Sequence, residues 1–330
     1  MNIAVTGVGG GVGQSIVKAL QSTEYNPIGI DSDVLGTGLY ATRKSYLGLK
    51  AKDPQYINRL KEICKKEDCQ VIFPGLDIEL SPLSNKAKTL AAAGIWPIVS
   101  KPSVVQICCD KMKTSEFLRT NNFPFPKTYR LSDYHFELDF PVVLKPQIGG
   151  HRSIGQYNVN NRREFEFYRE NVEIDNYIVQ EFVEGEEYTC GSVTLEDLCV
   201  GAILMKRELR SGDTIKAFVV KNAELTAFVE KVVSTLKPFG ACNIQMKVKD
   251  NIPYIFEFNA RCSGTTACRA LAGFNEPKMI CDYILKGVKK PSFNIKEMVF
   301  LRYWKELAVS YNKIDEMKKE GSVRNRKIKL

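Results

Sequence analysis

Apolar positions along the first hundred residues follow two alternating rhythms. Asn2 to Thr6 is a short apolar run, a glycine-rich turn follows, and Val12 to Leu20 has the three-and-four spacing of a helix with one buried face. Pro27 to Ile30 reads as a second strand ending at Asp31. Tyr56 to Lys66 is an amphipathic helix, Val71 to Pro74 a strand, Ser84 to Ala93 a helix, and Ile95 to Val99 a closing strand. Strands alternating with helices predict a parallel sheet covered on both faces, a Rossmann-like unit over residues 1–102.

The rhythm then changes. Ser103 to Asn121 is mostly helical, and Pro124, Pro126 and Pro141 punctuate the chain before the strand Val142–Lys145. Beyond it, period-two runs dominate: Tyr177–Phe182, Glu187–Thr194, Val200–Lys206, Cys242–Val248 and Pro253–Asn259, with one helix at Leu225–Leu236. Lys249-Asp250-Asn251 joins the last two strands as a hairpin. The pattern predicts an α+β second half. Its first part (103–190) is a linker helix and small lobe. Its second part (191–330) is a larger lobe with a basic tail.

Composition narrows the class. With 330 residues, 44% hydrophobic and 26% charged, the chain suits a globular protein of two or three units. The start lacks the basic and apolar regions of a signal peptide, and no window approaches the roughly 20 apolar residues of a membrane helix. A cytoplasmic protein without membrane or nucleic-acid partners is expected. Much of the net charge of +9 sits in the tail, where Lys313, Lys318, Lys319, Arg324, Arg326, Lys327 and Lys329 outnumber Asp315, Glu316 and Glu320, which reads as a solvated or frayed terminus. The ten cysteines form no Cys-x-x-Cys pair, and only His135 and His151 stand by to complete a zinc site, so reduced thiols are expected.

Two motifs compete for the chemistry. Thr6-Gly7-Val8-Gly9-Gly10-Gly11-Val12-Gly13 follows a strand and opens a helix, where a phosphate can sit. It misses Gly-x-Gly-x-x-Gly, with Val12 at the third glycine position, but fits Thr-Gly-x-x-Gly-x-x-Gly. In that form it resembles the cofactor turn of extended short-chain dehydrogenases and sugar epimerases, with Asp31 placed for a ribose. The Tyr-x-x-x-Lys pair of that family occurs only at Tyr40/Lys44 and Tyr46/Lys50, too early in the chain. The alternative is a tight strand-to-helix turn that binds no dinucleotide.

The second half offers cations, a glycine loop and hard oxygen ligands in order. Lys111 lies on the linker helix, Lys145 ends a strand, and the loop Gln147–Gly155 includes Gly149, Gly150 and Ser153. Gln180-Glu181-Phe182-Val183 precedes a turn and Glu187. Asn243-Ile244-Gln245 and Phe256-Glu257-Phe258-Asn259-Ala260-Arg261 fall on the arms of the hairpin. Alternation puts Glu257, Asn259 and Arg261 on one face and Phe256, Phe258 and Ala260 on the other, with Gln245 opposite Glu257. Such oxygen ligands suit Mg²⁺ with bound phosphates; taken alone, the same face fits an ordinary solvated strand equally well.

Taken together, these pieces resemble the ATP-grasp enzymes over roughly residues 1–290. Asn243-Ile244-Gln245 with Glu257-Phe258-Asn259-Ala260-Arg261 is similar to the synthetase core of the carbamoyl phosphate synthase large subunit. The resemblance implies a Rossmann-like pre-grasp domain followed by a two-lobed grasp fold, with ATP and Mg²⁺ (or Mn²⁺) as cofactors. It implies phosphate contacts from Lys111, Lys145 and the Gly149–Gly150–Ser153 loop. Adenine would lie against the backbone of Glu181 and Val183, beside Phe182, with Gln180 at its amino group. Glu187 would take the ribose, Gln245, Glu257 and Asn259 the metal, and Arg261 the acyl phosphate. Lys206, Arg210 and Lys216 are candidates for the substrate carboxylate and γ-phosphate, or form a solvated hairpin tip. Ser263, Thr265 and Thr266 either line an acceptor pocket or cap the next helix. Two departures weaken the transfer of substrate: that enzyme has two cores and an ammonia-delivering partner, and it carries Arg where this chain has Lys145. The relatives with one core imply an ADP-forming ligase joining a small carboxylate to an amine, and a possible homodimer.

Overall fold

The computed structural model describes residues 1–150, 153–303 and 305–325. His151, Arg152 and the basic positions Arg326, Lys327 and Lys329 lie outside them.

The N-terminal sheet contains the four strands the periodicity predicts and, among its parallel strands, one it does not, Lys44–Leu47. Strands β1 (Asn2–Thr6), β2 (Asn26–Asp31), β3 (Lys44–Leu47), β4 (Cys69–Phe73) and β5 (Trp96–Pro97) run parallel in the order β3-β2-β1-β4-β5. Helices α1 (Gly11–Gln21) and α2 (Thr37–Ala41) precede α3 (Tyr56–Lys66) and α4 (Leu80–Ala91) in the chain. Ile3, Val5 and Val71 face the α1 core, whereas Ala4, Ile28 and Ile72 face that of α3 and α4. Alternate residues of one strand thus serve two apolar layers.

The lid is a four-stranded antiparallel sheet, β6 (Thr128–Arg130), β7 (Val142–Pro146), β8 (Tyr157–Val159) and β9 (Tyr177–Glu181), in the order β6-β9-β7-β8. Helix α7 (Arg162–Glu170) covers it with Phe165. The large lobe is antiparallel, with β10 (Glu186–Leu195), β11 (Leu198–Arg210), β12 (Asp213–Val220), β13 (Gly240–Lys249), β14 (Ile252–Asn259) and β15 (Val299–Leu301) ordered β14-β13-β10-β11-β12-β15.

Several expectations need correction. The helical stretch 103–121 is two helices, α5 (Pro102–Cys109) and α6 (Lys111–Thr120). Asp110 breaks it by leaving helical geometry and accepting the Met112 and Lys113 N–H groups. Both helices reach the large-lobe core, with Val104 and Leu118 beside Ile244 and Phe258, while α5 also packs on α4 and Asp110 and Lys111 bond to Gln147 just after lid strand β7. The expected boundary at 190 falls inside β10. Helix α8 (Ala223–Leu236) also joins that core, while α9 (Thr266–Leu271) and α10 (Glu276–Lys286) seat against α1.

The tail is not frayed over its described part. Helix α11 (Tyr311–Glu320) ends in a left-handed Gly321 and leads into β16 (Ser322–Arg324), which pairs antiparallel with β3. Met317 and Val323 are buried in the core that also holds Ile3, Ile16 and Phe274. The first and last segments therefore share one sheet, and one apolar core joins the N-terminal unit to the large lobe.

Candidate active site

The hairpin β13–β14 carries the candidate metal residues, and its geometry is set by two local features. Asp250 and Asn251 form its tip with φ of 50° and 63°, the left-handed pair that a two-residue hairpin turn needs. Asn243 then pairs with Asn259 and Gln245 with Glu257, but Met246 pairs with Ile255, so Phe256 is the extra residue of a bulge.

That bulge overturns the expected facing of Phe256. Phe258 and Ile255, three residues apart, are both fully buried in the core. Phe256 instead lines the cavity beside Glu257, and the Lys145 ammonium lies 5.3 Å from its ring centroid. Arg261 also leaves the strand face. Pairing ends at Asn259, the Arg261 N–H turns back to the Asn259 carbonyl at 2.7 Å, and the guanidinium ion-pairs with Asp77 of the N-terminal unit. The turn carrying Asp77 is fixed by buried Glu79, which accepts the Gly75 and Leu76 N–H groups and the Thr6 and Tyr56 hydroxyls. Arg261 donates a second nitrogen to the Cys262 carbonyl, and its buried Nε has no partner.

A cavity of about 230 Å³ opens between the lid and the large sheet. It is lined by Lys111, Lys145, Gly150, Ser153, Gln180 to Val183, Glu187, Arg207, Gln245 and Glu257, so most of the residues singled out from sequence share one space. Lys145 is 5% exposed; burial, then the neighbouring Lys111, pushes it down to about 7. Burial also lowers Lys111, whose ammonium donates to the Gly149 carbonyl at 2.8 Å. Two desolvated lysines side by side form a site short of negative charge, suited to a phosphate chain. Gly149 and Gly150 have successive φ of 80° and 74°, a backbone path that favours glycine and brings the loop over Lys111.

Along the Gln180–Val183 edge, the Gln180 amide nitrogen donates to Thr128 at 2.8 Å, which leaves its oxygen as an acceptor. The Glu181 N–H is bound to the Lys127 carbonyl at 2.8 Å. Glu187 is held by Arg207 at 2.6 Å and by Lys247 at 3.2 Å.

Among the metal candidates, Asn259 donates to Glu257 at 2.8 Å and accepts from Gln245 at 3.3 Å. One carboxylate and two amides thus make the donor set. Among the described residues no cluster of three His, Cys, Asp or Glu side chains exists to hold a metal ion. The set fits a hard ion that draws most of its ligands from phosphate and water, as Mg²⁺ does, and does not fit zinc.

Lys206, Arg210 and Lys216 do not line this cavity. Lys206 pairs with Glu186 at 2.6 Å and Lys216 with Glu208 across β11–β12 at 2.7 Å, and Arg210 is exposed near the strand end. Arg207, on the opposite face of β11, enters instead. Sequence alone does not single it out, because Lys206-Arg207-Glu208 is charged at every position and no apolar residue within it marks the inward face. Ser263, Thr265 and Thr266 bond to one another around the entry to α9, and Thr266 donates to Glu276 at 2.7 Å.

The glycine turn after β1 is a packed turn. A Cβ on Gly13 would lie 2.3 Å from the Gly7 carbonyl, and one on Gly38 2.2 Å from that of Val8. Both Asp31 oxygens are taken, by the Gly9 N–H at 2.7 Å and the Asp33 N–H at 2.9 Å. The dehydrogenase alternative is unsupported: the glycines permit close packing, and Asp31 caps the turn.

The fold is that of the ATP-grasp proteins. Residues 108–265 match the ATP-grasp domain family model, and residues 3–98 match that of the PylC-like N-terminal domain. Within that class, the chain resembles the synthetase core of carbamoyl phosphate synthase. It is 25% identical over 272 residues to the carbamoyl phosphate synthase large chain of Thermoplasma acidophilum, covering 72% of this chain and 26% of that one. It is 30% identical over 191 residues to the D-alanine–D-alanine ligase of Bacillus anthracis, covering 52% of this chain; the match spans 62% of that relative's length. The fold superposes on N5-carboxyaminoimidazole synthetase from Staphylococcus aureus complexed with ADP at a TM-score of 0.72, with 17% identity, covering 96% of this chain and 86% of that one. Among the described residues no helix is long and apolar enough to cross a membrane.

Proposed function

We propose that the chain is an ATP- and Mg²⁺-dependent ligase that joins a small carboxylate to an amine and releases ADP and phosphate. The carboxylate oxygen attacks the γ-phosphorus as the bond to ADP breaks. The amine nitrogen then attacks the acyl carbon, phosphate leaves, and the amine proton passes to solvent. The carrying observation is the cavity itself. Half-buried Lys111 and buried Lys145, both lowered in pKa first by desolvation, line it together with the Gln180–Val183 edge, Gln245 and Glu257, the last two bonded to Asn259.

Within it, Lys111, Lys145 and the Gly149–Gly150–Ser153 loop hold the phosphate chain. The Gln180 oxygen and the Glu181 carbonyl receive the adenine amino group, the Val183 N–H faces the ring, and Phe182 and Phe256 wall the slot. Glu187 takes the ribose. Mg²⁺ (or Mn²⁺) bound at Glu257, Asn259 and Gln245 would neutralise phosphate charge as it transfers. Arg207 takes the γ-phosphate role assigned from sequence to Lys206, Arg210 and Lys216; Arg261, buried against Asp77 and outside the cavity lining, would have to leave that pair to reach the acyl phosphate. Positioning and charge screening supply the catalysis, with no nucleophilic side chain.

The test is a release assay with Mg·ATP over a matrix of amino acids, sugar acids and amines, scoring ADP and phosphate. A carboxylate–amine pair that releases both supports the reading. Release of AMP, or no nucleotide binding at all, overturns it.

A further inference from the structure

Behind the metal row lies an ion pair that touches no part of the cavity. Arg269 on α9 and Glu276 at the start of α10 are both fully buried, 2.8 Å apart. The fold makes room for them: a Cβ on Gly191 of β10 would sit 2.4 Å from both the Arg269 Nη1 and the Glu276 Oε1. We propose that this pair is a positioning device for the Mg²⁺ site, fixing through Asn243 the orientation of the Asn259 amide and, through the Asn259 nitrogen, that of the Glu257 carboxylate. The inference rests on the reading of Glu257, Asn259 and Gln245 as metal ligands.

The direction follows from hydrogen-bond chemistry. A guanidinium only donates. Arg269 Nη2 reaches the Asn243 Oδ1 at 2.5 Å, and the Thr189 hydroxyl donates to the same oxygen at 2.7 Å. With its oxygen so held, Asn243 must turn its amide nitrogen the other way, and it donates to the Asn259 Oδ1 at 3.0 Å. Gln245 donates to that oxygen as well, at 3.3 Å. Asn259 can then offer only its nitrogen to Glu257 Oε1, at 2.8 Å. A flip of either asparagine would set donor against donor or oxygen against oxygen. One buried charge therefore orients the whole row.

Stability alone does not account for the pair. Two buried charges carry a desolvation penalty that an apolar pair of like volume avoids, and the Arg269 Nε has no partner. Direction is what the charged pair supplies and an apolar pair cannot.

The test measures ADP binding by calorimetry in saturating Mg²⁺ and in chelator, and takes the ratio of affinities as the metal-dependent gain. Asn243→Asp keeps the acceptors toward Arg269 and Thr189 but loses the donor toward Asn259. The paired exchange Arg269→Met with Glu276→Leu removes the charge while filling the space. In each, the gain should fall about ten-fold or more, in line with residues that orient metal ligands, while affinity in chelator stays within about two-fold. A purely structural pair would change the melting temperature and leave the gain intact in folded variants; that result overturns the proposal. A wild-type protein with no metal-dependent gain removes the metal-site reading, and the relay with it.

Discussion

Arg207 stands between Glu187 and Gln245, its Nε 2.8 Å from the Glu187 carboxylate and its Nη2 2.7 Å from the Gln245 carbonyl oxygen. In this structure it engages the acceptor assigned to ribose and one of the oxygens assigned to the metal. Phosphates entering the cavity would offer it a better-matched partner. Arg207→Met should therefore raise the KM for ATP about ten-fold or more, equivalent to about 1.4 kcal/mol. Lys216→Met, which breaks only the pair with Glu208, should leave it within about two-fold. Steady-state kinetics on the two variants, once a substrate pair is in hand, checks the contrast; equal effects would return the phosphate contact to Lys216.

Glu257 is the only carboxylate in the proposed metal row. Glu257→Gln keeps the hydrogen bond with Asn259 but removes the charge, and turnover of Mg·ATP should fall at least about a hundred-fold with the fold intact. Normal turnover with an unchanged circular dichroism spectrum would remove the metal assignment.

Lys145 gives a pH signature. Its pKa near 7 in the free protein is set first by burial and then by Lys111, against 10.5 in an unfolded chain. Bound phosphates favour the charged form, so nucleotide binding near pH 8 should take up a proton, and affinity should weaken as pH rises above 7. Calorimetry in buffers of different ionisation enthalpy reads the uptake, which Lys145→Met should abolish. For stability the sign is opposite to that of a paired lysine. The unfolded chain binds more protons between pH 7 and 10.5, so Lys145 makes the free protein gain stability as pH rises through that window.

The turn after β1 should be indifferent to dinucleotides. NAD(H) should leave the melting temperature unchanged while Mg·ATP raises it. Gly13→Ala, forced against the Gly7 carbonyl, should destabilise the fold, whereas Gly264→Ala, with open space around its Cβ, should not. Thermal unfolding with and without each ligand decides the matter; stabilisation by NAD(H) would reopen the dehydrogenase reading.

The C-terminal segment should behave as part of the N-terminal sheet. Met317→Ala removes a fully buried side chain from the shared core and should cost about 2–5 kcal/mol, read by urea unfolding. A loss below about 0.5 kcal/mol would mean that the segment contributes nothing to that core.

The sequence by itself determined the βα alternation of the first hundred residues except for α2 and β3, the β13–β14 hairpin, and the order of phosphate and metal candidates along the chain. These rest on local rules: side-chain periodicity, the left-handed Asp250-Asn251 tip, and strand pairing one turn apart. Only the tertiary structure decided the rest, because it depends on contacts between residues far apart in the chain. The bulge at Phe256 arises from how β13 pairs with β14, and no alternation count along β14 alone reveals it. Arg261 leaves the metal face because Asp77, 184 positions earlier, meets it across the interface between the units. The tail at Met317 and Val323 looks like solvated charge until β3 presents an open edge for β16. The Arg269–Glu276 pair, silent among small and apolar neighbours in the sequence, becomes the anchor of an amide chain only when β10, β13 and α9 are packed together.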